Sequence, residues 1–308
     1  MRIGIIGGTG FVGQYLVEAL LTVGHRPVLL VRPGSVAKVR RAAECDLVSG
    51  SIADSEALRQ VLRGCPVGVY LTGLLREFPT RGITFEEAHF NGACRAIDAA
   101  RAEGTGRMLL MSANGVKPDG TAYQTTKYRA EEYLRATDLE WLILRPSVIY
   151  GPPRGQMEFV TQLYRQLIRP SLPAPLFYSG WNPCRAGAFR FSPVHAVDLA
   201  QVLVKLLEQP GLWRRIIEIG GPDTVSWKEI LRLIAAATGR CKWLVPVPAG
   251  PLKLLARWPG FPISRDQLEM LLAGNTCPAD EPWRSCGISP RRFSITELAY
   301  LNENQPAR

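Results

Sequence analysis

The chain has 308 residues, of which 46% are hydrophobic and 21% are charged, as in an ordinary globular protein. Its 37 basic and 27 acidic residues leave a net charge of +10, which favours phosphate-bearing ligands or an acidic membrane or protein surface. The arginines are scattered, no nucleic-acid motif is present and no apolar run reaches about 18 residues, so we expect no nucleic-acid partner and no membrane-spanning helix.

A glycine-rich turn follows the first predicted strand. The apolar run Ile3-Gly4-Ile5-Ile6 leads into Gly7-Gly8-Thr9-Gly10-Phe11-Val12-Gly13, which opens an amphipathic segment. A strand, a glycine turn and a helix in this order typically hold a dinucleotide, because the backbone approaches the pyrophosphate and the helix N-terminus faces it. We therefore predict cofactor contacts from Gly7, Thr9, Gly10, Phe11, Val12 and Gly13.

Apolar runs alternate with helical patterns through the first half of the chain. Predicted strands are Arg2–Ile6, Pro27–Val31, Asp46–Val48, Val67–Leu71, Arg107–Met111 and Trp141–Leu144. Predicted helices are Phe11–Val23, Ser35–Ala42, Ser55–Leu62, Phe85–Ala102 and Thr125–Ala136. Repeated strand–helix units of this kind predict an α/β fold with a doubly wound parallel sheet, the Rossmann arrangement.

The end of the second predicted strand bears on the choice of cofactor. An acid there accepts from the 2′-hydroxyl of NAD, whereas a basic residue suits the 2′-phosphate of NADP. The chain reads Val31-Arg32-Pro33-Gly34-Ser35, with no acid, and Arg32 can bind phosphate through two parallel hydrogen bonds. With contacts from Ser35 and Lys38, the pattern favours NADP(H) over NAD(H). The alternative is that Arg32 is a solvated surface residue without a role in cofactor binding.

Ser112, Tyr123 and Lys127 form the candidate catalytic group. Tyr123 and Lys127 stand four residues apart in a helical pattern and share one face, with Thr121 and Gln124 placed to cap the helix. Ser112 follows the fifth predicted strand. The ammonium is expected to lower the pKa of the phenol from about 10, the serine orients the reacting oxygen, and nicotinamide supplies the hydride chemistry.

The pattern changes after Pro146. A proline-rich loop region from Pro170 to Pro193 precedes a predicted helix, Ala196–Glu208, a strand, Ile216–Ile219, and a helix, Val225–Thr238. No sheet pattern is recognised from Cys241 to Leu301. We predict an NAD(P)-binding domain at 1–150, joined by 190–222, and a smaller, discontinuous C-terminal lobe for substrate or partner at 151–189 and 223–308.

Other chemistry-bearing residues are interpreted as structural. The 7 cysteines form no C-x-x-C pair and have no nearby histidine cluster, so we expect reduced thiols, a cytoplasmic protein without a signal peptide, and no metal site. His195 and Asp198 are expected to support a helix start, and the tryptophans to pack internally. The segment from Leu252 to Pro259 is apolar and basic; it favours either a lobe helix over the substrate or peripheral contact with a membrane's inner face.

These residues resemble the short-chain dehydrogenase/reductases in their extended or atypical branches, which are epimerase/dehydratase-like. The glycine turn, Tyr123-Gln124-Thr125-Thr126-Lys127 and the segment from Leu144 to Pro152 match that family's motifs. The segments Pro193–Ala200 and Gly220-Gly221-Pro222 look like landmarks of the extended branch. Two further segments, Ser112–Pro118 and Ile263–Gln267, resemble a subgroup akin to the nucleotide-binding accessory subunit of respiratory complex I.

The resemblance implies a role for each matching position. Tyr123 would be the general acid–base, Lys127 would hold the ribose, and Ser112 would orient the substrate oxygen. Further cofactor contacts would come from Thr72, Gly73, Pro146, Ser147 and Val148. Where the family often has an acid near the adenine, the chain has Ser51 and Ile52, from which the adenine contact is expected. The ending of the fourth strand, Tyr70-Leu71-Thr72-Gly73, also departs from the usual one.

Three functions follow as hypotheses, with the oligomeric state open in each. The first is an NADP(H)-dependent oxidoreductase or epimerase that acts on a carbonyl or alcohol of a small molecule. The second is an accessory or assembly subunit, of a respiratory or other complex, that holds the nucleotide without turnover. The third is a quinone- or isoprenoid-linked reductase.

Overall fold

The computed structural model of the protein describes residues 1–255, 265–277 and 280–303. Two segments named above lie partly outside these ranges, namely residues 256–259 of the basic apolar segment and Ile263-Ser264 of the second subgroup motif. Within the described ranges, no helix is long and apolar enough to cross a membrane.

Short strands and helices alternate along the described chain. The strands are β1 (Arg2–Ile6), β2 (Arg26–Val31), β3 (Asp46–Ser49), β4 (Val67–Tyr70), β5 (Arg107–Met111), β6 (Glu140–Pro146), β7 (Ile149–Tyr150), β8 (Ala174–Tyr178), β9 (Arg190–Phe191), β10 (Val194–His195), β11 (Arg215–Ile219), β12 (Val225–Ser226) and β13 (Leu244–Pro248). The α-helices are α1 (Phe11–Thr22), α2 (Ser55–Leu62), α3 (Gly92–Ala102), α4 (Ala122–Arg135), α5 (Phe159–Leu163), α6 (Ala196–Glu208), α7 (Trp227–Ala237), α8 (Ala249–Leu255), α9 (Arg265–Ala273), α10 (Asp280–Cys286) and α11 (Tyr300–Glu303).

A seven-stranded sheet in the order β11-β6-β5-β4-β1-β2-β3 forms the centre of the fold. The pairs from β6 to β3 are parallel, with Ile6 of β1 opposite Leu30 on one side and Tyr70 on the other. The strand order reverses between β1 and β4, which is the topological switch point where such sheets bind their ligands. The predicted Rossmann fold is confirmed.

The chain divides into two compact units. The first contains 1–146, 196–218 and 282–288, and the second contains 147–195, 219–281 and 289–308. In the first unit, Leu58, Val61 and Ile97 belong to a buried core against the sheet. In the second, Trp227, Ile230 and other side chains of α7 pack with the aromatic and aliphatic residues of β8 and α5.

One predicted helix is wrong. The segment Ser35–Ala42 contains only a 3₁₀ turn at Val36–Lys38, and a second such turn covers Ala42–Glu44. Arg41 between them has a φ of +57°, which interrupts any continuous helix. The helix predicted at Val225–Thr238 is observed to begin two residues later, because Val225 and Ser226 belong to β12. Ser226 and Glu229 form the predicted capping box.

Two of the strands that were missed in the second unit pair with each other. β8 lies in the region predicted as a loop, and β13 lies where no sheet pattern was recognised; they pair in parallel from Ala174↔Leu244 to Tyr178↔Pro248. Prolines at 175, 246 and 248 conceal both strands in the sequence. A two-stranded ribbon tolerates them, because each strand uses only one edge and the missing N–H can face away from its partner.

Candidate functional site

The glycine turn between β1 and α1 lies at the switch point of the sheet. Gly7 has a φ of +99°, and a Cβ atom there would lie 3.0 Å from the backbone of both Leu71 and Thr72, at the end of β4. A Cβ on Gly13 would lie 2.2 Å from the carbonyl oxygen of Gly7. Because both positions exclude a side chain, the first turn of α1 sits directly on the turn after β1.

The N-terminus of α1 is open to a ligand. Gly10 is its N-cap and provides no side-chain cap, and no acid stands in the first turn, which holds Phe11, Val12 and Gly13. The backbone N–H of Gly10 donates to the Gly7 carbonyl at 3.0 Å, and the Gln14 side chain donates to the carbonyl of Thr9 at 3.3 Å. The N–H groups and dipole of this 12-residue helix suit a pyrophosphate.

The loop after β2 carries the residues predicted to choose the cofactor. Arg32 directly follows β2 and is exposed, and the N–H of Ser35 donates to its carbonyl at 2.9 Å in a tight turn. Ser35 is buried, whereas Lys38 is exposed. Neither Arg32 nor Lys38 forms an ion pair with a carboxylate in the described part of the chain, so both cations remain available to an anionic ligand.

The residues predicted to contact the adenine already form hydrogen bonds within the protein, and those after β4 differ in exposure. The hydroxyl of Ser51 accepts from the N–H of Ala53 at 3.2 Å, and the carbonyl of Ile52 accepts from Arg95 at 2.7 Å. Thr72 is partly buried beside Gly7, whereas Gly73 is exposed. A Cβ on Gly73 would lie 3.8 Å from the Nζ of Lys127, which links the β4 end to the catalytic group.

Ser112, Tyr123 and Lys127 are brought together by β5 and α4. Lys127 is 7% exposed, and its ammonium donates to the carbonyl of Met111, the residue before Ser112, at 3.1 Å. The same ammonium lies 5.7 Å from the centroid of the Tyr123 ring. Thr121 and Gln124 form the predicted capping box, which fixes the start of α4 and therefore both side chains.

The acid–base properties of this group differ from the expectation. Burial raises the pKa of the Tyr123 phenol above its ordinary value of 10.0, and burial lowers the pKa of Lys127 to about 8. The expected lowering of the phenol pKa is therefore wrong for the protein alone, because desolvation by burial raises it. Tyr123 is a neutral phenol, able to donate a proton.

A histidine that sequence reasoning missed lies under the candidate catalytic residues. His89 is 2% exposed; its Nε2 accepts from the N–H of Leu74 at 2.9 Å, and its Nδ1 lies 3.2 Å from the hydroxyl of Thr126. Because Nε2 accepts this hydrogen bond it carries no proton, so the neutral ring has its proton on Nδ1 and donates it to the hydroxyl of Thr126. Burial, and then the charge of Lys127, lower the pKa of His89 to about 2.

His89 connects two parts of the candidate site. It is stacked on Phe85 at 5.2 Å and meets the Tyr123 ring edge-on at 5.0 Å, and it stands in π-helical turns, Glu86–Asn91, that lead into α3. Such turns are frequent at functional sites. The segment Phe85–Ala102 reads as one regular helix in the sequence, and no sequence signal marks His89 as inward-facing.

The last three predicted contacts follow the end of β6. The carbonyl of Pro146 accepts from the N–H of Asn114 at 2.9 Å, so Pro146 is tied to the loop that follows Ser112. In the second unit, the hydroxyl of Ser147 donates to the carbonyl of Asn275 at 2.8 Å, and the carbonyl of Val148 accepts from Val194 at 2.9 Å. The structure thus gives the Ser147 hydroxyl a partner within its own unit.

This fold and glycine turn define a Rossmann-type NAD(P)-binding protein. The chain belongs to the NAD(P)H-binding family, whose model matches residues 7–167. Its fold is that of the extended, epimerase/dehydratase-like short-chain dehydrogenase/reductases.

Known proteins of three kinds resemble the chain. It is 31% identical over 246 residues to a ceramide reductase of Caulobacter vibrioides, covering 80% of this chain and 73% of that protein. It is 24% identical over 316 residues to the 40 kDa subunit of mitochondrial NADH-ubiquinone oxidoreductase of Neurospora crassa, covering 96% and 78%. The predicted likeness to the complex I subunit is confirmed. The UDP-glucuronic acid 4-epimerase of Bacillus cereus, solved with UDP-glucuronic acid and NAD, superposes with a TM-score of 0.75 at 16% identity over 98% of both chains.

Proposed function

We propose that the protein is an NADP(H)-dependent reductase that converts a carbonyl group into an alcohol through Ser112, Tyr123 and Lys127. The observation that carries the proposal is the hydroxyl of Ser112. This residue is 4% exposed, and its Oγ is buried without a hydrogen-bond partner among the described residues. A buried unpaired hydroxyl costs about 1–3 kcal/mol, and a substrate oxygen placed beside it would remove that cost.

The protonation state of Tyr123 suits the donation of a proton to a carbonyl oxygen. Burial raises the pKa of Tyr123, so its phenol is protonated at neutral pH and can give its proton to a carbonyl oxygen that becomes an alcohol. Bound nicotinamide would supply the hydride. Lys127, which is held by the Met111 carbonyl and lies near Gly73, would bind a ribose hydroxyl, and Ser112 would orient the carbonyl.

The preference for NADP(H) over NAD(H) is proposed from the residues of the loop after β2. Arg32 and Lys38 are exposed cations with no carboxylate partner in the described structure, and no acid replaces them at the end of β2. An arginine at this position matches the charge and geometry of a 2′-phosphate. The open N-terminus of α1 and the close turn at Gly7 and Gly13 suit the pyrophosphate of the same cofactor.

The choice of reductase over epimerase rests on the similarity to the ceramide reductase. The test follows NADPH consumption by the purified chain with two probes, an oxidised ceramide and a short-chain quinone, beside a Ser112→Ala variant. Turnover of the ketone that Ser112→Ala lowers about 100-fold, with NADPH binding retained, supports the proposal. Turnover confined to the quinone, or equal turnover in the variant, contradicts it.

A second function is favoured by a separate observation. Curated relatives from Neurospora, Dictyostelium and mouse are subunits of NADH-ubiquinone oxidoreductase or NADH dehydrogenase. The chain would then hold its nucleotide as part of a larger assembly. Tight NADPH binding without turnover of any probe, together with copurification of a defined complex, would favour this function over the reductase.

A further inference from the structure

The positive charge of the chain is concentrated in two segments of the second unit, 159–190 and 224–250. They contain eight basic residues and one acidic residue, Glu229, in a chain of net charge +10. Glu158, immediately before the first segment, is buried and caps α5. The basic residues are Arg165, Arg169, Arg185, Arg190, Lys228, Arg232, Arg240 and Lys242.

Close carboxylate partners of these cations are absent from the described ranges, although Glu229 interacts with Arg190 and Arg232 at longer range. In the first unit, many arginines are paired with carboxylates, as in Arg26 with Asp46 and Arg59 and Arg63 with Glu103. None of the eight basic residues forms an ion pair with a carboxylate in the described ranges. Most are exposed, so their charge is available to an external anion.

Four of the eight cations line two neighbouring clefts that share Lys242. The first has a volume of about 460 Å³ and the second about 390 Å³. The Nζ of Lys242 donates to the carbonyl of Pro170, which holds the first cleft's wall beside β13. Arg240 and Lys242 line the first cleft, and Lys228, Arg232 and Lys242 line the second.

Large apolar side chains project from the same surface. Trp243 is 80% exposed and Leu172 is 75% exposed, and both line the first cleft. They flank the start of the β8–β13 ribbon, where the N–H of Ala174 donates to the Trp243 carbonyl at 2.8 Å. The expectation that tryptophans pack internally holds for Trp213 and Trp227, but is wrong for Trp243 and for the fully exposed Trp181.

We propose that this surface, called here the basic face and formed by the two clefts with Trp243 and Leu172, docks the chain on a membrane rich in anionic phospholipid. The unpaired lysines and arginines would contact headgroup phosphates, and the indole and leucine would enter the interface between headgroups and acyl chains. Tryptophan with basic residues is typical of membrane interfaces. An exposed leucine is better accommodated by the acyl chains of a membrane than by the polar rim of an interface with an acidic protein. The proposal does not depend on the proposed function.

The test is sedimentation of the full chain with vesicles. Wild-type protein is mixed with vesicles of equal phosphatidylglycerol and phosphatidylcholine, or of phosphatidylcholine alone, at low and high salt. The proposal predicts binding to the anionic vesicles that falls at least about tenfold at high salt or without the anionic lipid, because screening weakens each cationic contact.

Two variants locate the binding surface. Lys228→Glu with Arg232→Glu is expected to weaken binding at least about tenfold, and Trp243→Ser about fivefold. The matched control reverses two exposed, unpaired arginines of the first unit, Arg81→Glu with Arg215→Glu, and should retain binding within about threefold. Thermal unfolding checks that every variant is folded, and the wild-type salt dependence does not rely on any variant.

Absence of wild-type binding to anionic vesicles overturns the proposal, even if an acidic protein or a nucleic acid binds this face. An equal loss in the control variant also overturns it, because the effect would then follow net charge and not this surface.

Discussion

The ammonium of Lys127 donates a hydrogen bond of 3.1 Å to the carbonyl of Met111, the last residue of β5. This bond places a buried cation between the strand that precedes Ser112 and the helix that carries Tyr123. No carboxylate among the described residues is bonded to the cation, and its pKa falls to about 8 through burial. The protein therefore maintains an unfavourable charge at the position where a cofactor ribose is proposed to bind.

Replacing Lys127 should stabilise the protein and remove its activity. The folded pKa of about 8 lies below the ordinary value of 10.5, so the unfolded chain holds this proton more tightly and the wild type gains stability as the pH rises between these values. We expect Lys127→Met to raise the free energy of unfolding at pH 7 by about 2 kcal/mol, with the difference closing near pH 10. Urea unfolding across this range measures it, with Lys38→Met as the exposed control. A less stable variant at pH 7 would show that the bond to Met111 outweighs burial of the charge.

Gly13→Ala should damage the nucleotide turn. The new methyl group would lie 2.2 Å from the carbonyl oxygen of Gly7, so α1 must move away from β1. We expect at least about a tenfold rise in the Kd for NADPH and a loss of about 2 kcal/mol in stability. Gly106→Ala is the control, because a Cβ there meets nothing within 4 Å. Normal NADPH binding by Gly13→Ala, measured by titration calorimetry, would refute the proposed pyrophosphate site.

Arg32→Ala should separate the two cofactors. Loss of a charge-assisted contact to the 2′-phosphate is expected to cost about 1.5–3 kcal/mol of NADPH binding and to leave NADH within about twofold. Titration of both nucleotides measures this difference, and Arg81→Ala provides an exposed, unpaired control. If both nucleotides weaken equally, Arg32 does not read the 2′-phosphate.

His89 should remain neutral far into the acidic range. Its folded pKa of about 2 lies below the ordinary value of 6.5. Below pH 6.5 the unfolded chain therefore binds a proton at this residue and the folded chain does not, so the free energy of unfolding falls as the pH falls. We expect His89→Gln to show a shallower loss of stability between pH 7 and about pH 4 than the wild type. Nitrogen NMR of the ring provides a second measurement, with Nδ1 protonated and Nε2 bare at pH 5. A ring protonated at both nitrogens at that pH would contradict the assignment.

The sequence predicts the parts of the site that depend on local spacing. The glycine turn after β1 and the four-residue separation of Tyr123 and Lys127 each lie within one segment, and periodicity and capping residues define such segments. His89 is different, because its partners at Leu74 and Thr126 are 15 and 37 residues away and nothing local marks the inward face of its helix. The pKa of Tyr123 likewise depends on burial by distant residues.

The second unit is less predictable for a related reason. The prolines of β8 and β13 indicate loops when each strand is considered alone, and only their pairing shows that the ribbon tolerates them. The basic face depends on the same pairing, since it brings residues near 172 and 243 together. Composition gives the net charge of the chain, but it does not show which basic side chains lack a carboxylate partner.

Tyr123→Phe tests the central claim most directly. The variant removes one hydroxyl, and with it the proton donor, while the ring and its edge-on contacts with Phe85 and His89 can remain. With the carbonyl probe that the wild type reduces, NADPH-linked turnover should fall about 10²–10⁴-fold while the Kd for NADPH stays within about twofold. Turnover equal to that of the wild type would contradict the assignment of Tyr123 as the proton donor.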